Sequence, residues 1–406
     1  MALIVKKFGG TSVGSIERIE AVAELIIRAK QQGHQVVVVV SAMSGETNRL
    51  LSLAKQIDER PSARELDVLL TTGEQVSIAL LAMAIVKRGH SAVSLLADQI
   101  GIKTDNVFGK ARIQGIDVSR LQQELEHNRI AIVAGFQGRD TEGNITTLGR
   151  GGTDTSAVEI AAAISADECQ IYTDVDGVYT TDPRVEPRAR RMEQITFEEM
   201  LELASLGAKV LQIRSVEAAG RYNLPLRVLS TFKPDSGTLI SYEEPKVTSR
   251  TVSGIAYQKD EALLIVRQVP ENPSSLARVL CLLAEFDIEV DMISQINHQV
   301  GKIDYALTVH SNEYAQALDV LNSNLVALGA SCVEGNAEVA KISAVGVGMK
   351  SHSGIAGIFF DALANENIHT LLVSTSEIKI SVLVEERYLE LAVRALHSAF
   401  SLESRD

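Results

Sequence analysis

Four stretches of this chain bring glycines or apolar neighbours together with charged side chains in ways that could do chemistry. The first is Gly149-Arg150-Gly151-Gly152-Thr153-Asp154, immediately before a helical stretch from Thr155 to Ser165. Glycines in such a turn let bare backbone N–H groups and a helix N-terminus face an anion. The arginine adds a planar, permanently charged fork for two-point contact with a carboxylate or a phosphate. An ordinary surface turn with one solvated arginine fits the same six residues. The second stretch, Lys7-Phe8-Gly9-Gly10-Thr11-Ser12, ends the first strand, where ligands gather on open α/β sheets. A phosphate suits its amides and ammonium. The spacing is neither Gly-x-x-x-x-Gly-Lys nor Gly-x-Gly-x-x-Gly, and a plain tight turn competes with the phosphate reading. The third, Thr173-Asp174-Val175-Asp176-Gly177-Val178-Tyr179-Thr180-Thr181-Asp182-Pro183-Arg184, follows a buried strand. Its carboxylates, hydroxyls and guanidinium suit a nucleotide with its Mg2+, and a calcium-type loop or turn chemistry fits as well. The fourth, Gly73-Glu74-Gln75, puts a carboxylate inside an apolar helical region, as a functional group or as part of a solvated face.

The elements that must position these groups alternate along residues 1–232. Strand candidates are Leu3–Phe8, Val36–Ser41, Ala92–Leu96, Ile130–Phe136, Gln170–Val175 and Leu226–Thr231. Continuous apolar runs such as Val36 to Val40 suit strands covered on both faces, as in parallel sheets between helices. Helices are expected near 15–32, 64–88, 118–128, 154–165 and 196–206, the last opened by a capping box of Thr196 with Glu199. The pattern predicts a doubly wound α/β domain with a largely parallel central sheet. Arg139 to Thr147, centred on Glu142-Gly143-Asn144, reads as a hairpin decorating that sheet.

With 406 residues the chain holds two or three domains of ordinary size, and a 46% hydrophobic share describes a packed protein, not a disordered one. A net charge of −13 argues against nucleic-acid or anionic-membrane partners. Cys169, Cys281 and Cys332 are widely spaced and without a ligand pattern, which fits a reduced compartment. The N-terminus runs straight into a strand, and the longest apolar run, Ile78 to Val86, is far below a membrane span. A cytoplasmic location is expected.

From about residue 233 the texture changes. Turn signals at Lys233-Pro234-Asp235-Ser236-Gly237 and Glu243-Glu244-Pro245 mark a linker over 233–250. Beyond it a weak internal repeat begins. Leu276, Leu283, Ile288 and Ile293 recur as Ala356, Leu363, Ile368 and Val373, and the alternating Ile303, Tyr305, Leu307 and Val309 recur as Ile378, Ile380, Val382 and Val384. Two small α+β units of βαββαβ form are expected, at 251–335 and 336–406.

Together these motifs resemble the aspartate kinases of the amino-acid kinase superfamily. The likeness rests on Lys7 to Ser12, Ser41-Ala42-Met43-Ser44-Gly45 with Thr47-Asn48, Gly73-Glu74, Gly135-Phe136, Gly149 to Asp154, Tyr172 to Arg184, and Lys209. It covers nearly the whole chain, and the paired C-terminal units look like tandem ACT domains. No homoserine dehydrogenase segment follows before Asp406, so the resemblance is to the monofunctional form.

The resemblance implies transfer of the ATP γ-phosphoryl group to the side-chain carboxylate of L-aspartate, the opening step towards lysine, threonine, methionine and isoleucine. It implies that Lys7 neutralises the transferring group, with Phe8, Gly9, Gly10, Ser12 and Ser41 along its path. Lys209 and Val210 would bind the nucleotide phosphates, and Thr173, Asp174, Tyr179, Asp182 and Arg184 would shape the adenine-nucleotide site. Arg150 would hold the substrate α-carboxylate and Glu74 its ammonium, while Thr47, Gly151, Gly152 and Thr153 add hydrogen bonds. Asp154 would organise the lysines and the phosphates, whose Mg2+ arrives with ATP and takes no direct protein ligand.

Regulation by lysine, threonine or both is implied at the two loops that precede the ACT helices. Asn272, Ser275, Leu276, Met292 and Gln295 form one candidate set; Ser353, Ile355, Ala356, Ser374, Thr375 and Glu377 form the other. The likeness further implies that strand Val252–Ala256 joins the second ACT unit, and that a homodimer or higher oligomer forms through this region. A glutamate or N-acetylglutamate kinase would share the sheet and the glycine turns; the tandem ACT region and Glu74 with Arg150 favour aspartate. A silent amino-acid sensor is the other alternative, against which Lys7, Asp154 and Lys209 speak.

Overall fold

The computed structural model describes the chain apart from residues 207–209, 234–235, 243–250, 351, 353 and 405–406, with the backbone alone of 297–299 and 350. It forms two compact units. The first gathers Met1–Val178, Arg191–Ala204 and Lys209–Val247, and the second Tyr179–Arg190, Ser205–Ala208 and Thr248–Asp406.

The strands of the first unit are β1 (Leu3–Phe8), β2 (Gln35–Val40), β3 (Ala92–Leu95), β4 (Ile102–Thr104), β5 (Ile113–Ile116), β6 (Ile130–Ala134), β7 (Gln137–Arg139), β8 (Ile145–Thr147), β9 (Glu168–Thr173), β10 (Gln194–Thr196), β11 (Leu226–Ser230) and β12 (Thr238–Ser241). Eight of them form one sheet in the order β10-β12-β11-β9-β1-β2-β6-β3. Every pair in it is parallel except β11 with β12. Val36 to Val40 are all fully buried, which is why five consecutive valines make one strand: both faces are covered. Parallel pairing puts the C-terminal ends of β1, β2, β6 and β9 along one edge, where a ligand cleft opens.

Eight helices belong to this unit among the described residues: α1 (Ile16–Gln31), α2 (Glu46–Ile57), α3 (Ala63–Leu70), α4 (Thr72–Lys87), α5 (Ser119–Glu126), α6 (Gly152–Ala163), α7 (Phe197–Ser205) and α8 (Ile213–Arg221). Ser15 caps α1 by accepting from Arg18 N, and Ile19, Val22, Ala23 and Ile26 form its buried stripe. That stripe packs with Phe8, Val36, Val38 and Ile132 of the sheet and with Ile78, Leu81 and Ile85 of α4. Burying one such side chain stabilises the fold by about 1.5–3 kcal/mol. The stretch Ala63–Lys87 is long and apolar enough to cross a membrane by length and composition, yet here it is a core helix interrupted at Thr71. Thr71 turns its hydroxyl onto Val68 O (2.9 Å), and its carbonyl accepts from Gln137 Nε2 (3.4 Å). At α7 the capping box is present: Glu199 N donates to Thr196 Oγ1 (3.3 Å), and Thr196 N donates to Glu199 Oε2 (3.2 Å).

Three features differ from the sequence expectation. The hairpin at Arg139–Thr147 does form, but β7 and β8 belong with β4 and β5 to a separate sheet of order β5-β4-β7-β8. Thr238–Ser241, inside the expected linker, is strand β12, inserted between β10 and β11 and anchored by the fully buried Ile240. Helices α2 and α8 add to those expected; α2 buries only Leu50 and Ala54, too thin an apolar stripe to register as a helix period.

The second unit is one antiparallel sheet of order β14-β15-β13-β16-β18-β17, built from β13 (Gly254–Pro270), β14 (Val290–Gln299), β15 (Lys302–His310), β16 (Cys332–Val345), β17 (Leu372–Thr375) and β18 (Lys379–Glu385). Its helices are α9 (Ser275–Ala284), α10 (Tyr314–Ser323), α11 (Leu325–Leu328), α12 (Ile355–Asn365) and α13 (Leu389–Ala399). The repeat has a physical basis. Leu283 and Leu363 fill equivalent core positions under α9 and α12, as Leu307 and Val382 do on the paired strands. The two halves share strands: Gly254 to Gln258 pair with Lys341 to Val345, which pair onward with β18, whereas Glu261 to Arg267 pair with the start of β16 and with β15. The expected division between residues 335 and 336 therefore falls inside a continuous strand. Lys341 of β16 meets Glu261 of β13 at 3.1 Å and also contacts Asp291 of β14. Three flat strand spacings would hold β14 and β16 about 14 Å apart, beyond the reach of that pair, so the sheet curls over this face.

Candidate active site

At the C-terminal edge of the main sheet a cavity of about 290 Å3 is lined by Lys7, Gly10, Ser41, Thr47, Glu74, Phe136 and the whole of Gly149 to Asp154. All of these lie in the first unit. Two helices point their N-termini at this space. Gly45 caps α2 and Gly151 caps α6, both in the left-handed conformation (φ 82° and 71°), and neither end has a side-chain cap. First-turn amides are thus left for an anionic ligand.

Lys7 is the penultimate residue of β1, directed to the sheet face that α6 covers. Its ammonium stands 2.6 Å from Asp154 Oδ1 in the first turn of α6, and both side chains are nearly buried. The contact is an ion pair without an aligned hydrogen bond at Asp154 Oδ1. The helix N-terminus adds favourable partial charge for the Asp154 carboxylate. Gly10 permits the strand end to approach the next turn: a Cβ there would lie 2.8 Å from Ala42 O.

Glu74, in the first turn of α4, is 3% exposed. Its Oε1 accepts from Ala42 N (3.0 Å), while Oε2 is buried with no hydrogen-bond partner among the described residues. Burial pushes its pKa up to about 7, against the partial relief of the Ala42 amide. A buried carboxylate with one idle oxygen on a cavity wall suits an incoming cation. Arg150 is exposed on the cavity rim. The pocket therefore offers two fixed cations, Lys7 and Arg150, two helix N-termini and two carboxylates, a charge pattern suited to a dianion that also carries an ammonium.

Of the expected site residues, Lys7, Gly10, Ser41, Thr47, Glu74, Arg150, Gly151, Gly152, Thr153 and Asp154 line this one cavity. The Phe8 side chain does not: it stacks on Tyr172 in the core (4.6 Å between rings), so only its backbone reaches the strand end. Gly9 N donates to Tyr172 O (3.4 Å), and Ser12 is fully buried with its hydroxyl 2.6 Å from Thr231 Oγ1. Thr173 closes β9 and donates to Asp174, which is exposed beside β1's end. Tyr179, Asp182 and Arg184 fall in the second unit. There Asp182 accepts from Arg184 (2.7 Å) and from the Tyr257 hydroxyl (3.0 Å), which hold its carboxyl below the usual range. Val210 is half-buried, and Lys209 lies outside the described residues. Two contributors lie inside the Ser41–Gly45 motif without a role that the sequence assigns: Ala42, whose amide fixes Glu74, and Gly45, the cap of the unexpected α2. The glycine before Glu46 is the available signal for the second.

In the second unit, Asn272 opens the loop before α9 and its Oδ1 accepts from Ser274 N (2.9 Å). Ser275 is buried and donates to Pro270 O (2.6 Å); Met292 and Ile355 are core residues, and Leu276 packs against the core. Gln295, Ala356, Ser374, Thr375 and Glu377 are exposed, and Ser353 lies outside the described residues.

Comparison with known proteins shows the family. The amino acid kinase family matches residues 2–230, and the ACT domain family matches 342–400. An aspartate kinase of Pseudomonas putida is 58% identical over 405 residues, covering 100% of this chain and 98% of its own length. An aspartokinase of Helicobacter pylori is 48% identical, covering 99% of this chain and 100% of its own. Among solved structures, E. coli aspartokinase III in complex with aspartate and ADP matches with a TM-score of 0.78 at 27% identity, covering 98% of this chain and 99% of that one. The chain belongs to the amino acid kinase family, among its aspartokinases, and is a phosphotransferase acting on a carboxyl group.

Proposed function

We propose that this protein moves the γ-phosphoryl group of ATP onto the β-carboxylate of L-aspartate, giving 4-phospho-L-aspartate, as the first step of lysine, threonine and methionine synthesis in the cytoplasm. The observation that carries the reading is that one cavity is lined by Arg150, by the half-satisfied Glu74 and by the Lys7–Asp154 pair. The E. coli relative bound to aspartate and ADP supports it.

An aspartate side chain free in water loses its proton near pH ~4, so at neutral pH the acceptor is already ionised and needs no general base. What it needs is alignment with the γ-phosphoryl group and relief of repulsion between two anions. Arg150 takes the α-carboxylate by a two-point contact, and Glu74 takes the ammonium, which leaves the side-chain carboxylate directed towards Lys7. Lys7 holds positive charge where the transferring oxygens gather negative charge, on the cavity wall and 2.6 Å from Asp154 Oδ1. Mg2+ is expected with the nucleotide. Asp154, on the cavity wall beside Lys7, would face the metal through its waters and take no direct place on it. When bound, the metal neutralises charge on the phosphates.

We place feedback control by lysine, threonine or both at the two helix starts, α9 and α12, because a helix N-terminus suits the carboxylate of an amino acid. The E. coli structure in complex with lysine and aspartate supports lysine as one effector. β14 and β17 are edge strands, and such edges seek partners, which favours a homodimer through this unit. The functional test is hydroxamate formation with MgATP: aspartate should give product and glutamate should not. Equal rates with both, or none with aspartate, would refute the assignment.

A further inference from the structure

Asp67 of α3 is 1% exposed, yet it has no part in the cavity wall. Its carboxylate accepts three hydrogen bonds, from Gly109 N (2.9 Å), Thr147 N (2.8 Å) and Thr147 Oγ1 (2.7 Å). Burying a carboxylate is costly unless donors surround it, and all three donors here come from two residues remote from α3 in sequence. Those residues bracket one point. Thr147 ends β8 and leads through Leu148 into Gly149 and Arg150. The Gly109 carbonyl abuts Gly149 so closely that a Cβ there would lie 2.8 Å from it, and Gly149 holds φ 77°.

We propose that Asp67 is a positioning residue for the acceptor substrate. By clamping Gly109 and Thr147 to α3, it fixes the path of the turn that aims Arg150 into the cavity. The inference rests on the reading that Arg150 binds the substrate α-carboxylate. Asp67→Asn keeps the shape but sets an amide N–H2 against donors, so the clamp loosens without a cavity being left. Its effect should fall on the acceptor side alone, because Lys7 and the β1 turn hang from the sheet and not from α3.

The test is steady-state kinetics on the full-length protein and three variants, Asp67→Asn, Arg150→Ala and the double variant, with thermal midpoints alongside. Asp67→Asn should raise the aspartate KM about tenfold, with kcat and the ATP KM within about twofold of wild type. In the Arg150→Ala background the same change should add less than about twofold, since both act through one contact. Should Asp67→Asn fold poorly, Thr147→Val removes a single bond and should raise the aspartate KM about threefold. An unchanged aspartate KM, a parallel loss of kcat and both KM values, or multiplying effects in the double variant would overturn the proposal. Arg150→Ala alone separates the two failures: if its aspartate KM is raised and the double variant multiplies, only the role of Asp67 falls. If that KM is unchanged, the reading of Arg150 falls and takes the positioning role with it.

Discussion

The Lys7 ammonium lies 2.6 Å from Asp154 Oδ1, tying the end of the first strand to the first turn of α6. The pair joins two glycine-rich turns that are far apart in the chain and makes them neighbours in the lining of one cavity. Electrostatic positioning then does what proton transfer does in other enzymes, and the consequences are measurable.

Removing the strand-end charge should slow chemistry more than it weakens the fold. Lys7→Ala should lower kcat by about 10²–10³-fold, the usual loss when a group acts chiefly in the transition state. A circular-dichroism melt should show a folded variant. Near wild-type turnover would refute the assignment.

The guanidinium on the cavity rim should matter for binding. Arg150→Ala should raise the aspartate KM by about 10–100-fold, the worth of a charge-assisted contact of roughly 1.5–3 kcal/mol, and leave the ATP KM near its starting value. Initial rates against each substrate decide it.

Glu74 makes aspartate binding depend on pH. Its carboxyl, raised to about 7 in the free protein, must ionise to receive an ammonium. Calorimetric titration without nucleotide should therefore find aspartate binding about tenfold weaker at pH 6 than at pH 8, and Glu74→Gln should abolish that dependence. Stability runs the other way. The folded state keeps this proton between the ordinary value of 4.5 and about 7, whereas the unfolded chain has lost it, so folding stability falls as pH rises through that window. At pH 8 Glu74→Gln should consequently be more stable than wild type, by up to an order of 3 kcal/mol.

In the second unit Lys341 and Glu261 form a buried ion pair on the curled face of the sheet, and burial raises the Glu261 pKa against the pull of Lys341. Breaking one partner leaves a buried charge. Lys341→Met should cost about 3–5 kcal/mol at neutral pH, and Lys341→Met with Glu261→Gln should recover most of it. Urea unfolding of the three proteins checks both statements.

Much of this fold is legible in the sequence because its signals are local. Leu3–Phe8 and the valines at 36–40 are strands with long apolar runs, Thr196 and Glu199 cap α7 reciprocally, and the C-terminal repeat places Leu283 and Leu363 in matching cores. The site is legible as motifs and not as an arrangement: no periodicity shows that Lys7 meets Asp154, or that the Ala42 amide holds Glu74. Short elements such as Ile102–Thr104 carry too few residues for a period, and they owe their shape to the neighbouring strands. The stretch from Thr173 to Arg184 reads as one loop, whereas the chain leaves the first unit after Val178 and packs its next residues with the second, where Thr180 bonds the buried His397 (3.0 Å). Tertiary partners decide such a division.

The most direct measurement is a crystal structure with L-aspartate and a non-hydrolysable MgATP analogue. The account predicts the α-carboxylate within hydrogen-bond distance of the Arg150 guanidinium, the ammonium against Glu74 Oε2, and the side-chain carboxylate between them and Lys7, facing the terminal phosphate. Aspartate bound away from Arg150 and Glu74, or a terminal phosphate out of reach of Lys7, would contradict it.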